Sequence, residues 1–304
     1  MSKRNTLIIG FGSIGRRHAI ALSELGCRVF VVTKQTDIQY PSYRSISDAM
    51  RNDVFDYVVI ANETHLHHKT LKEIVAHDFL ECILVEKPLF SDGLLPLDLD
   101  NASVYVGYNL RFHPVIAHLK NILYSEKIIS FSAGVGQYLP TWRSNIDYRN
   151  NYSAKSELGG GVLRDLSHEL DYCTWICGDC KEVAAIGGKF SDLEINSEDT
   201  YTILMRCQNA ASVVIHMDYL SRAPYRHIRM ETMRHTYYAD LLKNQLSIDG
   251  VMQQFPLVNT YEHEHRAILE NKRYSLCTYQ EGLKLMKLIS QIEFANHNKT
   301  WVFS

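Results

Sequence analysis

Thr6-Leu7-Ile8-Ile9-Gly10-Phe11-Gly12-Ser13-Ile14-Gly15 is the stretch that decides the fold. An apolar strand runs straight into Gly10-x-Gly12-x-x-Gly15, and Ala19 to Leu25 then reads as a helix ended by Gly26. Three glycines at this spacing say little alone. Between a buried strand and a helix they have a physical purpose. Gly10 permits the tight turn, Gly12 lets backbone approach a pyrophosphate, and Gly15 lets the helix pack closely on the sheet. The helix N-terminus, with Ser13 and Ile14, offers unpaired N–H groups to the phosphates. The spacing therefore predicts a dinucleotide, NAD or NADP, as ligand.

Working outward, Cys27–Val32, Asp56–Ala61, Ile83–Val85 and Val104–Val106 read as further strands, and His68–Ala76 as a helix. Unbroken apolar strands alternating with helices indicate a parallel sheet covered on both faces. After Arg111 the alternation stops. Pro114–Leu123 reads as a helix and Lys127–Tyr138 as a strand. Thr200–Arg206 and Ala211–Asp218 read as a hairpin around Cys207-Gln208-Asn209-Ala210, Ile228–Thr232 as another strand, and Leu283–Phe294 as a long helix. The expected class is α/β. Residues 1–112 form a Rossmann-type, doubly wound parallel sheet, and residues 113–304 an α+β domain with a large, open, mostly antiparallel sheet. An open sheet face often joins copies of a chain, so a homo-oligomer is expected through it.

The 304 residues carry a formal net charge of -2, with 32 Lys and Arg against 34 Asp and Glu. That balance gives no pull toward nucleic acid or a membrane surface. No apolar run approaches transmembrane length, and the opening residues lack the features of a secretory signal. The 7 Cys are scattered, which argues against a disulfide framework and for a reducing, cytoplasmic setting. Cys173, Cys177 and Cys180 lack an evident fourth metal ligand and read as small buried thiols around a helix end at Gly178. His65-x-His67 and His263-Glu264-His265 lack a HExxH arrangement and read as polar active-site or surface residues, so no metal is expected.

In open parallel sheets, ligands sit beyond the C-terminal strand ends. Three segments fall there: Ala61-Asn62-Glu63-Thr64-His65-Leu66-His67, Glu86-Lys87-Pro88, and Gly107-Tyr108-Asn109-Leu110-Arg111-Phe112. An ammonium at Lys87 would favour the alkoxide of a substrate hydroxyl; Glu86-Lys87 reads equally well as a surface pair. The second strand ends Val31-Val32-Thr33-Lys34, with no acidic residue before Asp37. Thr33 and Lys34 suit the extra phosphate of NADP, although Lys34 also fits a solvated surface lysine. Tyr138, Trp142 and Arg143 combine rings that stack with a guanidinium that binds oxygens, which suits a sugar or nucleotide sugar, or ordinary surface packing. Behind Gly159-Gly160-Gly161, a helix would place Asp165, His168 and Asp171 on one side, a carboxylate–imidazole unit able to move a proton.

The stretches GFGSIGRRH (10–18), VVIANETHLH (58–67), EKPL (86–89), VGYNLRFHP (106–114) and GGGVLRDLSHELD (159–171) together resemble the glucose-fructose oxidoreductase / inositol dehydrogenase / MocA (Gfo/Idh/MocA) family. GQYLPTWR (136–143) and LSHELD are similar to members from bacterial surface-polysaccharide biosynthesis. The resemblance implies a tightly held NAD or NADP and hydride transfer at a sugar-ring or cyclitol carbon. It makes Lys87 the lysine of the EKP motif, His168 the catalytic histidine and Asp171 the acidic residue three beyond it. It places Ala61, Asn62, Glu63, His67, Glu86, Lys87 and Asn109 near cofactor. It places Lys87, Arg111, Tyr138, Trp142, Arg143, Arg164, Asp165, His168 and Asp171 near substrate. Two departures stand out. The family often has its catalytic Asp four residues before the histidine, where this chain has Arg164, with Asp165 one later. Glu63 stands where the family often has Pro. The implied activity is reversible oxidation of a secondary alcohol on a sugar or nucleotide sugar. The alternatives are a cofactor-binding sensor or partner-binding protein without turnover, and an imine or enamine reductase.

Overall fold

β1 (Asn5–Ile9) is the hub of the first sheet, and four of its five residues are buried. The computed structural model describes residues 4–91, 96–99, 102–124, 126–143 and 147–303. α1 (Ser13–Glu24) leads to β2 (Arg28–Val32) and β3 (Ser42–Tyr43), and α2 (Ile46–Asn52) to β4 (Tyr57–Ile60). α3 (His67–Val75), β5 (Cys82–Glu86) and β6 (Ser103–Gly107) follow. These strands lie in the order β6-β5-β4-β1-β2-β3, all parallel. Leu7, Ile8, Val58, Val59, Ile83 and Leu84 are fully buried, as strands covered on both faces require. Strand order reverses at β1, which has β2 on one side and β4 on the other. The sequence reading assigns nothing between Val32 and Asp56; β3 and α2 lie there. The signal for α2 was legible: Ser45 caps it, accepting from the Asp48 amide at 3.1 Å, a Ser-x-x-Asp pattern.

α4 (Pro114–Ile122) opens with proline in its first turn, where the missing N–H costs nothing, and the His113 side chain caps it. β7 (Ile128–Gly136), α5 (Leu139–Trp142), α6 (Val162–Asp165), α7 (His168–Cys177) and β8 (Cys180–Gly188) come next. Then follow β9 (Thr200–Cys207), β10 (Ala210–Asp218), β11 (Tyr225–Thr232), β12 (Thr236–Asp240), β13 (Gln245–Ile248) and β14 (Val251–Gln254). The second sheet runs β14-β13-β12-β11-β7-β10-β9-β8 and is antiparallel except between β7 and β10. Its strands alternate. Tyr201, Ile203, Met205 and Cys207 point inward, and Thr202, Leu204 and Arg206 outward. α4 and α7 pack together, and α7 lies on β7 and β10.

The expected single helix through Asp165, His168 and Asp171 is two helices. Leu166 leaves helical geometry (φ -101°, ψ 25°), so α6 ends at Asp165 and α7 begins at His168. The glycine entry is tightly enclosed. A Cβ on Gly160 would lie 2.0 Å from the Tyr152 carbonyl oxygen, and Gly161 holds φ +118°. Gly178 ends α7 at φ +79°. Cys173, Cys177 and Cys180 are buried free thiols there, joined by Cys207, which pairs across strands with Cys180. Among the described residues, no group of three or more His, Cys, Asp or Glu is placed to hold a metal ion, and no helix is long and apolar enough to cross a membrane.

The chain then runs through α8 (Thr260–Leu269), β15 (Cys277–Thr278), α9 (Tyr279–Asn298) and β16 (Val302–Phe303). It divides into two compact units, Met1–Phe112 with Asn259–Met286, and His113–Val258 with Lys287–Ser304. The expected unbroken second domain, 113–304, is thus corrected for residues 259–286. β15 pairs antiparallel with β6, and Ala267, Ile268 and Leu276 share a core with Ile8, Leu22 and Val59. Apolar periodicity marks such helices but does not say which core they complete. β16 closes the second sheet beside β8.

Ile203→Ala, at a fully buried position of the second sheet, is expected to cost about 2–5 kcal/mol in denaturant unfolding. Arg206→Ala, on the opposite face in an exposed pair with Glu182, should change stability by under about 1 kcal/mol. Equal effects would refute this assignment of faces.

Candidate cofactor cradle and polar clusters

The turn after β1 is built by close contacts. Gly10 has φ +94°, and a Cβ there would lie 2.6 Å from Asn62 backbone atoms. A Cβ on Gly15 would lie 2.1 Å from the Gly10 carbonyl oxygen, whereas one on Gly12 would meet nothing within 4 Å. Thus Gly10 and Gly15 are demanded by packing, and Gly12 leaves an open approach to backbone. No side chain caps α1 and its first turn holds no acidic residue, so its N-terminal amides face that opening with their positive partial charge intact. Asn62 follows β4, so this turn lies at the switch point between β1 and β4. These features fit a dinucleotide pyrophosphate, with Ser13 and Ile14 in the first turn.

At the end of β2, Thr33 Oγ1 accepts from the Gln35 amide at 3.1 Å, and Gln35 Nε2 donates to the Phe11 carbonyl at 2.9 Å. Arg16 reaches Gln35 Oε1, and Arg44, just beyond β3, donates to the Lys34 carbonyl at 2.7 Å. Lys34, Arg16 and Arg44 are all exposed. Arg16 and Arg44 were missed from sequence because they come from α1 and the chain after β3, away from the β2 end.

Lys87 follows β5, and its backbone N–H donates to Glu86 Oε2 at 3.1 Å. Glu86 is buried, and His18 Nε2 lies 2.8 Å from its Oε1. Asn62 Nδ2 donates to Thr70 Oγ1 at 2.8 Å. Ala61 and Glu63 flank Asn62 in the turn. His67 is buried; its Nε2 lies 3.1 Å from the Asn62 carbonyl and its Nδ1 3.1 Å from that of Pro88. It braces the loops after β4 and β5. Burial holds its pKa below the ordinary value.

In the second unit the polar centre is Asp165. The Tyr219 hydroxyl donates to Asp165 Oδ2 at 2.6 Å, and the Tyr152 hydroxyl bonds the same carboxylate. Burial of Tyr219, and desolvation of the Tyr152 hydroxyl although that residue is 37% exposed, push both phenols well above their ordinary pKa, reinforced by Asp165, so they remain donors. The Trp142 ring lies 5.9 Å from that of Tyr219, and Arg143 sits 5.5 Å over Tyr152. Arg222 sits 4.5 Å over Tyr138. Asp171 is buried, and His168, at the start of α7, is partly exposed.

Residues 126–235 match the GFO/IDH/MocA C-terminal domain. Over that segment the chain is similar to the Gfo/Idh/MocA family, as its sequence motifs imply. An uncharacterized oxidoreductase of Synechocystis sp. is 29% identical over 166 residues, 51% of this chain. That match spans 43% of the relative's length. Among solved structures, the WlbA dehydrogenase from Bordetella pertussis, in complex with NADH and UDP-GlcNAcA, is 17% identical with a TM-score of 0.81, covering 99% of each chain. Levoglucosan dehydrogenase, in complex with NADH and levoglucosan, is 14% identical with a TM-score of 0.85, covering 99% of each chain. GenD2 from gentamicin A biosynthesis, in complex with NAD, is 16% identical with a TM-score of 0.81, covering 100% of this chain and 97% of its own. Identities this low establish a shared fold.

Several residues that the Gfo/Idh/MocA motifs select are engaged inside their own unit. Arg111 is 2% exposed; its Nη1 donates to the Leu276 carbonyl at 3.2 Å and to Glu281 at 3.1 Å. Arg164 forms a two-pronged pair with Glu293. Asn109 donates to Thr260 Oγ1 at 2.9 Å. Glu264 and His265 are buried and His263 is exposed, so the surface reading of that cluster holds for His263 alone. Tyr219 lies 54 positions from Asp165, and no local pattern could have linked them.

Glu198 accepts from the Leu163 amide at 3.2 Å and fills the space a Cβ on Gly161 would need. Burial pushes its carboxyl up to about 7, against 4.5 ordinarily. Between those values the folded chain keeps a proton that the unfolded chain has lost, so stability falls as pH rises through this window. Glu198→Gln is expected to flatten that dependence in thermal melts. A slope unchanged by the substitution would refute the assignment.

Proposed function

We propose that the chain is an NAD(P)-dependent oxidoreductase that moves hydride between the nicotinamide and a secondary alcohol or ketone carbon of a sugar or nucleotide sugar. The observation that carries this reading is the glycine turn at the β1–β4 switch point, with a lysine two strands away at the end of β5. When bound, the nicotinamide accepts or returns the hydride. The remaining work belongs to side chains. Lys87 supplies positive charge to the substrate oxygen and favours its alkoxide in the transition state. His168 takes the hydroxyl proton in oxidation and returns it in reduction. Asp165, held by Tyr219 and Tyr152, ends α6 just before the start of α7, and Asp171 follows one turn into that helix. Trp142, Arg143 and Tyr138 offer stacking faces and a guanidinium to sugar hydroxyls or a nucleotide. The sugar ligands named for the WlbA and levoglucosan enzymes support this substrate class.

NADP is the favoured cofactor in this reading, because Thr33, Lys34 and Arg44 supply a hydroxyl and two cations at the end of β2, with no acidic residue there. The outer face of the second sheet is read as the contact between copies of the chain. Leu204 is 43% exposed on it, and His227 stacks between Tyr225 and Tyr238.

Lys87→Ala and His168→Ala should each lower turnover on a sugar panel by about 10²–10⁴-fold while leaving dinucleotide affinity nearly unchanged. Near-wild-type turnover in both would sink the reading, and so would dinucleotide binding without turnover on any panel member. In fluorescence titrations NADPH should bind more tightly than NADH, with Arg44→Ala narrowing the gap. Binding of NADH alone would reverse the cofactor preference.

A further inference from the structure

His18 lies just past the glycine turn and His265 belongs to α8, and the mechanism above uses neither. The structure joins them inside the first unit. Tyr57 Oη lies 3.0 Å from His265 Nδ1, His265 Nε2 lies 2.8 Å from His18 Nδ1, and His18 Nε2 lies 2.8 Å from Glu86 Oε1. Tyr57, His265 and His18 are at most 1% exposed, and Glu86 is 7% exposed. The second oxygen of Glu86 receives the Lys87 backbone N–H. A Cβ on Gly107 would lie 3.0 Å from Glu86 Oε1, so the neighbouring strand leaves the carboxylate just the room it uses.

Counting protons gives the chain a direction. With one hydrogen per bond and neutral rings, Tyr57 donates to His265, His265 Nε2–H to His18, and His18 Nε2–H to an ionised Glu86. With neutral rings the reverse order needs Glu86 to donate, which a carboxylate cannot do. Burial, with Glu264 nearby, pushes the Tyr57 hydroxyl well above its ordinary range. Burial, with His18 beside it, holds His265 well below its own, which keeps that ring neutral. The Tyr261 ring closes the side of His18, edge-on at 5.1 Å. The forward order satisfies every buried group in the row, and in a low-dielectric interior a half-satisfied row would be costly.

We infer that Tyr57, His265 and His18 are positioning residues that act through Glu86, holding its carboxylate so that it fixes the backbone of Lys87. The inference rests on the reading of Lys87 as the group that meets substrate oxygen. Three strands and helices thereby converge on one amide: β4 through Tyr57, α8 through His265 and α1 through His18. A reacting group displaced by about an ångström loses rate on the order of 10²-fold, so such a brace has kinetic weight without touching the chemistry.

Two measurements test it. Long-range 1H–15N correlation spectra of the intact wild-type protein, with signals assigned by His18→Gln and His265→Gln, should show both rings as neutral Nε2–H tautomers near neutral pH. An Nδ1–H tautomer or an imidazolium at either position would overturn the direction of the row. Kinetically, His18→Met, which removes donor and acceptor, should lower kcat about 10- to 100-fold, with dinucleotide affinity within about twofold. His18→Gln, which keeps both, should recover most of the loss. Unchanged kcat in His18→Met, or no recovery in His18→Gln, would overturn the positioning role. If His18→Met does not fold, the spectra and His18→Gln still decide. A wild type with the stated tautomers but no turnover on any sugar would instead remove the functional reading on which the inference rests.

Discussion

The meeting of two loops at the reversal of strand order in the first sheet is the constraint on which the rest depends. The loop after β1 and the loop after β4 approach so closely that Gly10 has no room for a Cβ against Asn62, and Gly15 none against Gly10 itself. Backbone packed this tightly brings α1 down with its N-terminus aimed at the space above the sheet, and Gly12 leaves that space open. The dipole and the free amides of α1 are then positioned by packing alone, a geometry that suits a phosphate. The residues that follow the other strand ends inherit their positions from the same sheet, including Asn62 after β4 and Lys87 after β5.

Polar groups buried around this frame are engaged in rows, each tying one element to another. His67 braces the loops after β4 and β5, Arg111 holds the returning 276–281 segment, and the Tyr57–His265–His18–Glu86 row stitches α8 and α1 to the end of β5. An unpaired polar group in such surroundings would cost about 1–3 kcal/mol, so each row also disfavours alternative packings. The second unit uses the same device on a smaller scale. Asp165 is held by two phenols, and Arg164, its neighbour in sequence, is turned to Glu293 on α9. The break between α6 and α7 separates the two neighbours of the Gly-rich entry that a single helix would have aligned.

The neighbours in fold share little sequence, at 14–17% identity for the three compared. What they have in common is the fold. In the proposed reading, specificity is left to side chains such as Thr33, Lys34 and Arg44 beside β2 and the aromatic cluster around Trp142. A fold of this kind fixes where chemistry occurs more firmly than what the substrate is.

Sequence by itself determined the elements whose signal is local. The apolar run into Gly10-x-Gly12-x-x-Gly15, the buried parallel strands, the β9–β10 hairpin and the lysine after β5 were all legible, because periodicity and turn chemistry act over a few residues. The short β3, and α2 behind its Ser45 cap, went unread; β3 has only two residues, too few for any period to show. Tertiary structure alone decided the long-range partners. It assigned residues 259–286 to the first unit, joined Tyr219 to Asp165 and His265 to His18, and turned Arg111 and Arg164 into buried or half-buried struts. The physical reason is common to all of these. A hydrogen bond or ion pair between residues 54 to 247 positions apart exists only after packing has excluded water and fixed both ends, and no spacing within the chain records it.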